Sequence, residues 1–298
     1  MYPSPFHYHR AGSLEEASRM LAELGEEARP LAGGQSLIPL MKLRLAAPAH
    51  LVDLNFISGL SHVERKNGKL RIGALARHSE IEASPAAAAI PILLDCAAGV
   101  ADPQVRHRGT IGGSVAEADP SGDWVPVLLT LDTTVHVTGP AGERSIPLAE
   151  FVTDAYTTQL APAELIREIS IQAPAASSGG AYIAYKRCAP VYATATAAVQ
   201  LTLAGRDTCS DVRIALGCVA LTPVRPAEAE AALRGQPLNA KTIDATVEAA
   251  RAATDPPSDI RGSAEYKKNL VAALVRRAIE TAVRRARGET VAGGHLYA

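Results

Sequence analysis

RHRGTIGGSVAEADPSGDWVPVLLTL, residues 106–131, places Gly109, Gly112 and Gly113 within five positions. Glycine tolerates positive φ and leaves no Cβ between backbone amides and a bound group, so this stretch suits close approach to an anion. Thr110 and Ser114 flank the glycines with hydroxyls, while Arg106, His107 and Arg108 bring positive charge to the entrance. Asp123 precedes an apolar run, Trp124 to Leu131, where it would cap a helix or accept from a ribose hydroxyl. A tight turn before a buried helix has the same appearance, so this pattern alone does not decide between them.

A second glycine pair lies upstream in RPLAGGQSLIPLMKLRL, residues 29–45. Leu31-Ala32 reads as a strand end, Gly33-Gly34 as a turn and Ser36 to Leu45 as a helix, with Pro39 tolerated only near its first turn. Two strand-to-glycine turns can clamp one diphosphate from both sides through the amides of Ala32 to Ser36 and of Thr110 to Ser114. Neither turn is a GxGxxG followed by an acid after the next strand, and GxxxxGK[ST] is absent.

AGGQSLIPLMKLRL and VRHRGTIGGSVAEADPSGD resemble the two flavin-binding signatures of the FAD-binding medium subunit of molybdenum hydroxylases, the xanthine dehydrogenase and aerobic carbon monoxide dehydrogenase family. The resemblance spans nearly the whole chain. It implies an α+β chain: a two-lobed PCMH-type FAD-binding domain over 1–175, with lobes at about 1–56 and 57–175, then an α+β C-terminal domain over 180–288 and a tail over 289–298. It implies FAD contacts at Leu31, Ala32, Gly33, Gly34, Gln35, Ser36 and Leu37, and at Thr110, Ile111, Gly112, Gly113 and Ser114. Asp123 would meet the adenosine side, with Ala101 and Ile166 as weaker transfers. Lys186 matches a lysine that contacts the flavin ring near N1 and C2=O, and Tyr192 a residue packing over the isoalloxazine face. On the residues alone, Lys186 also reads as a solvated strand lysine and Tyr192 as a core or interface aromatic.

The same resemblance implies a large partner subunit carrying molybdopterin cytosine dinucleotide and a small one carrying two [2Fe–2S] clusters, in a dimer of heterotrimers. Electrons would pass from molybdenum through the clusters to FAD and on to an external acceptor, with no substrate hydroxylation in this chain. Gln35 stands where a flavin-linking histidine would be expected, so the FAD is noncovalent. Ser114 replaces a commoner Asn, and Cys188-Ala189-Pro190 departs from the usual stretch before the tyrosine. A flavin-free assembly module and a stand-alone FAD oxidoreductase are the alternatives; the intact glycine pairs, Asp123, Lys186 and Tyr192 favour electron transfer. The substrate, whether carbon monoxide, a purine, an N-heteroaromatic or an aldehyde, belongs to the large subunit.

The 298 residues suffice for two or three compact units. Net charge is −1 and aromatics are 4%, which gives no basis for a nucleic-acid partner. With no apolar run of about 18 residues and no secretory-type start, the chain is expected in the cytoplasm without membrane insertion. Cys96, Cys188, Cys209 and Cys218 are scattered without cluster-ligating spacing and read as buried small hydrophobes. Dispersed histidines and the lack of a GxSxG elbow point away from a metal or nucleophile site.

In chain order, Ser13-Leu14-Glu15-Glu16 predicts a capped helix ending at Gly25, and Leu51 to Leu54 a strand, so residues 13–54 read αβαβ. Asn67-Gly68 predicts a hairpin, and Ser79 to Val100 helices broken at Pro85 and Pro91. Strands follow at Thr133 to Thr138 and Leu165 to Ile171. Ala173 to Gly180 reads as a linker, followed by three alternating strands and then helices over Ala227 to Arg234, Ala240 to Ala253 and Ser263 to Arg287. The arginines from Arg276 to Arg287 read as a solvated helix end, and residues 289–298 as a mobile tail.

Overall fold

The computed structural model describes residues 2–297. β1 (His7–Arg10) begins the first lobe. The sequence gives no sign of this strand, because HYHR is exposed at three of its four positions and carries no apolar alternation. α1 (Leu14–Leu24) follows, with Ser13 Oγ accepting the Glu16 N–H at 3.1 Å. The Glu16 carboxylate takes the Gly12 N–H at 2.7 Å rather than that of Ser13, so the cap is displaced by one residue from the usual box. β2 (Ala28–Leu31) leads into the first glycine turn and α2 (Leu37–Lys42), where Pro39 is the third helical residue. The helix stops short of the expected Leu45: Arg44 takes φ +59°, and Leu43 and Leu45 face solvent with nothing to bury them. β3 (His50–Asp53) lies between β1 and β2, parallel to both.

The second lobe opens with the predicted hairpin, β4 (Val63–Lys66) and β5 (Lys69–Gly73). Asn67 and Gly68 both have positive φ at its tip, as a two-residue turn matching strand twist requires. Proline supplies the first residue of α4 (Pro85–Ala88), α5 (Pro91–Gly99) and α6 (Pro103–Arg106), where its missing N–H costs nothing. α3 (His78–Glu82) precedes these. Next come α7 (Ile111–Glu117) and α8 (Trp124–Leu129), then the hairpin β6 (Thr133–Gly139) and β7 (Gly142–Pro147). Short α9 (Leu148–Phe151), β8 (Val152–Asp154) and β9 (Thr157–Thr158) lead to β10 (Leu165–Gln172). The sheet order is β4-β5-β10-β6-β7, antiparallel throughout. β10 takes the centre because six of its eight residues are buried, on both faces of the sheet. Leu70, Ile72, Ile169 and Ile171 share their core with Ile92, Trp124 and Leu128 from the helices.

The C-terminal part holds β11 (Ser178–Lys186), β12 (Ala195–Ala204) and β13 (Thr208–Gly217), antiparallel as expected. α10 (Ala227–Leu233), α11 (Ala240–Ala252) and α12 (Ala264–Ala286) supply the helical layer, with Leu274 and Ile279 fully buried and Leu270 partly so. The expected linker is shorter than Ala173 to Gly180, because Gly179 and Gly180 lie inside β11. A Cβ on Gly179 would sit 2.1 Å from the Ala282 carbonyl oxygen, so the glycine lets α12 rest on the strand. The tail is also corrected: β14 (Leu296–Tyr297) pairs in parallel with Tyr185 and Lys186 at the edge of β11. Among the described residues no helix is long and apolar enough to cross a membrane.

Candidate flavin-binding site

The two glycine turns meet. A Cβ on Gly33 would lie 2.4 Å from the Arg108 carbonyl oxygen and 2.8 Å from Gly109 Cα. Only glycine permits that contact between backbones. Two residues that the sequence reading missed hold it. Asn55 Nδ2 donates to the Ala32 carbonyl at 2.9 Å, and Asn55 Oδ1 accepts from the Arg77 guanidinium, which also donates to the Arg108 carbonyl. The available signal was a polar residue directly after each of two strand-like runs, in LVDLN and GALAR.

The second turn differs from its expected form. None of Gly109, Gly112 or Gly113 has positive φ, whereas Gly34 of the first turn does, at +72°. Thr110 caps α7, its Oγ1 accepting the Gly113 N–H at 3.2 Å. Ile111 N–H donates to the Ala76 carbonyl, Gly112 N–H to Ala74 and Ser114 N–H to Thr110. Four of the five amides expected to grip a diphosphate are therefore committed within the chain. Gly112 is glycine for packing, since a Cβ there would lie 2.6 Å from the Ala74 carbonyl oxygen. The amides from Ala32 to Leu37, in contrast, donate to no group among the described residues. That unpaired row, beside Gly109, leaves successive donors free, as an anion-binding turn would require.

Asp123 does not cap α8 with its side chain. It is buried, accepts from the Tyr182 hydroxyl at 2.6 Å and lies 3.6 Å from Lys186 Nζ. Lys186 is 1% exposed and donates to the Gly99 carbonyl at 2.6 Å, which excludes a solvated strand lysine. The two groups thus lie together, whereas the resemblance assigns Asp123 to the adenosine side and Lys186 to the flavin ring. Ala101, two residues beyond Gly99, has φ +41°, and Arg106 donates to the Val100 and Ala101 carbonyls at 3.2 and 3.4 Å. Ile166 sits in the sheet core opposite Val137, next to a bulge in β10. Tyr192 is half-exposed, its ring 5.8 Å from the Arg261 guanidinium carbon, which is a surface rather than a core position.

His78 is a third residue beyond sequence reasoning. Its Nδ1 accepts the Trp124 Nε1–H at 3.0 Å. Burial, with Arg77 and Arg106 adding repulsion, pushes its pKa down to about 4. Two other expectations change. Cys96 and Cys209 are buried, but Cys188 is exposed, because it falls in the loop beyond β11. Arg285 is not part of a solvated helix end: it pairs with Asp95 at 2.6 Å, both side chains nearly buried.

Comparison with known proteins agrees with this architecture. Residues 4–174 match the FAD binding domain in molybdopterin dehydrogenase, and residues 180–282 the CO dehydrogenase flavoprotein C-terminal domain. The chain belongs to the FAD-binding medium subunits of the molybdenum hydroxylase family, a family of oxidoreductase subunits. It is 42% identical to the carbon monoxide dehydrogenase medium chain of Afipia carboxidovorans over 96% of this chain and 100% of that protein. It is 38% identical to the alpha subunit of the 6-hydroxypseudooxynicotine dehydrogenase complex of Paenarthrobacter nicotinovorans, over 96% of this chain and 97% of that one. Among solved structures, the carbon monoxide dehydrogenase of Hydrogenophaga pseudoflava lacking the Mo-pyranopterin moiety superposes with a TM-score of 0.93 at 40% identity, over 96% of this chain and 99% of the other.

Proposed function

We propose that this chain is the electron-transfer subunit of a cytoplasmic heterotrimeric molybdenum hydroxylase. Its FAD takes electrons from two [2Fe–2S] clusters of a small subunit and passes them to an external acceptor. A large subunit with molybdopterin cytosine dinucleotide performs the hydroxylation, and two heterotrimers associate. The observation that carries the reading is the row of unpaired amides from Ala32 to Leu37 where the glycine turns meet, in a chain of this family.

Bound FAD supplies the redox chemistry. The amides from Ala32 to Leu37, with that of Thr110, hold its diphosphate, and the Ser114 hydroxyl is placed to add a donor. Gly33, Gly34, Gln35, Leu31, Ile111, Gly112 and Gly113 shape the walls. Lys186 brings a buried positive charge, already balanced by Asp123, to one part of the flavin, with Ala101 beside them. Tyr192 screens the ring and shapes access to it, and Ile166 supports the sheet behind.

The test is purification through a tag on this chain from its native host, with a visible spectrum, cofactor release by denaturation and mass analysis of partners. FAD freed without covalent attachment, iron–sulfur absorption and a molybdenum-bearing subunit are expected. A colourless protein, or flavin with no partner, would overturn the proposal.

A further inference from the structure

Because Nδ1 of His78 accepts from Trp124, the neutral ring carries its hydrogen on Nε2. That Nε2 forms no hydrogen bond among the described residues and keeps some solvent contact, although His78 as a whole is only 4% exposed. A donor left free at the open edge of an otherwise buried ring is available to a ligand. Nε2 lies 2.7 Å from where a Cβ on Gly109 would stand, and Gly109 Cα lies 2.8 Å from where a Cβ on Gly33 would stand. The histidine edge and Gly33 thus both adjoin Gly109, and Gly33 belongs to the stretch of unpaired amides from Ala32 to Leu37.

We propose that His78 donates its Nε2 hydrogen to the diphosphate of FAD alongside Gly109, which lacks a side chain so that this contact can form. The inference rests on the flavin-subunit reading and adds a positioning residue outside both glycine signatures. A neutral donor suits the place, because Arg77, Arg106 and Arg108 already provide positive charge around the turn. Trp124 fixes the tautomer, as a partner on one ring nitrogen does whenever the other must donate.

Two substitutions separate donation from packing. His78→Asn puts a carbonyl oxygen where Nδ1 stands, keeping the Trp124 bond while removing the distal donor. His78→Gln reaches further and restores an N–H near the Nε2 position while giving up the Trp124 bond. The full-length chain is stripped of flavin, and FAD affinity is read by fluorescence titration, with the phosphorus NMR shift of bound FAD and the melting temperature of the flavin-free chain. His78→Asn should bind FAD about tenfold to a hundredfold more weakly, shift the diphosphate resonance and melt as the parent does. His78→Gln should recover most of the affinity. Parental FAD affinity in His78→Asn, or equal losses in both variants, would overturn the inference alone. Failure of the parent chain to bind FAD would overturn it together with the flavin-subunit reading.

Discussion

Lys186 Nζ lies 3.6 Å from Asp123 Oδ1, and the two side chains are 2% and 9% exposed. Lys186 ends β11, in the C-terminal part, and Asp123 precedes α8 in the FAD-binding part, so the pair joins regions matched by two different domain families. Tyr182 and the Gly99 carbonyl complete the hydrogen bonds of the two charges. Arg285 and Asp95 make a second buried link of the same kind.

A buried charge left alone is worse than a buried pair removed. Lys186→Met should therefore lower unfolding free energy by about 3–5 kcal/mol, and Lys186→Met combined with Asp123→Leu should recover much of that loss. Urea unfolding of the flavin-free chain reads both, and a double variant weaker than either single one would contradict the pairing.

Gly112→Val is expected to damage the fold itself, since its Cβ meets the Ala74 carbonyl at 2.6 Å whether or not flavin is present. The melting temperature of the flavin-free chain should drop by several degrees, whereas Gly294→Ala, with nothing within 4 Å, should leave it unchanged. An unchanged melt with lost FAD would assign Gly112 to direct ligand contact instead.

Acid should loosen the protein through His78. Its pKa is about 4 in the fold, below the value of about 6.5 for a free histidine. As pH falls from about 6.5 towards 4 the unfolded chain takes up a proton that the folded one refuses, so stability declines across that window. His136 and His295, also held low by burial, slope the same way. Melting curves from pH 7 to 4.5 should show a shallower decline in His78→Asn, and an identical one would contradict a buried neutral ring.

Tyr192→Ala should change unfolding free energy by only about 0.5 kcal/mol, because the side chain is half-exposed and outside the core. If Tyr192 screens the flavin, the same variant alters the visible flavin spectrum and the rate with artificial electron acceptors several-fold. A parental spectrum and parental rates would remove Tyr192 from the site.

Local patterns reached far into this molecule. Asn67-Gly68 makes its hairpin, and prolines 85 and 91 start their helices; the last three helices begin and end within two residues of the expected places. Caps, turns and periodicity act over a few residues, so a sequence carries them openly. The first glycine pair marked the row of unpaired amides for the same reason: a residue without Cβ is visible at once.

The purpose of the glycines was not visible. That Gly33 receives the Arg108 carbonyl, Gly112 the backbone of Ala74 and Gly179 the last helix depends on segments brought together from far along the chain. Asn55, Arg77 and His78 look like ordinary polar residues until folding sets them between the turns, and Lys186 like a surface lysine until Asp123 and Gly99 close over it. Even the tail pairs only because β11 offers a free edge. The sequence by itself determined most of the elements and, through the two glycine signatures, the family. Tertiary structure alone decided which amides stay unpaired and which charges are buried, because burial and hydrogen-bond satisfaction are properties of neighbours in space.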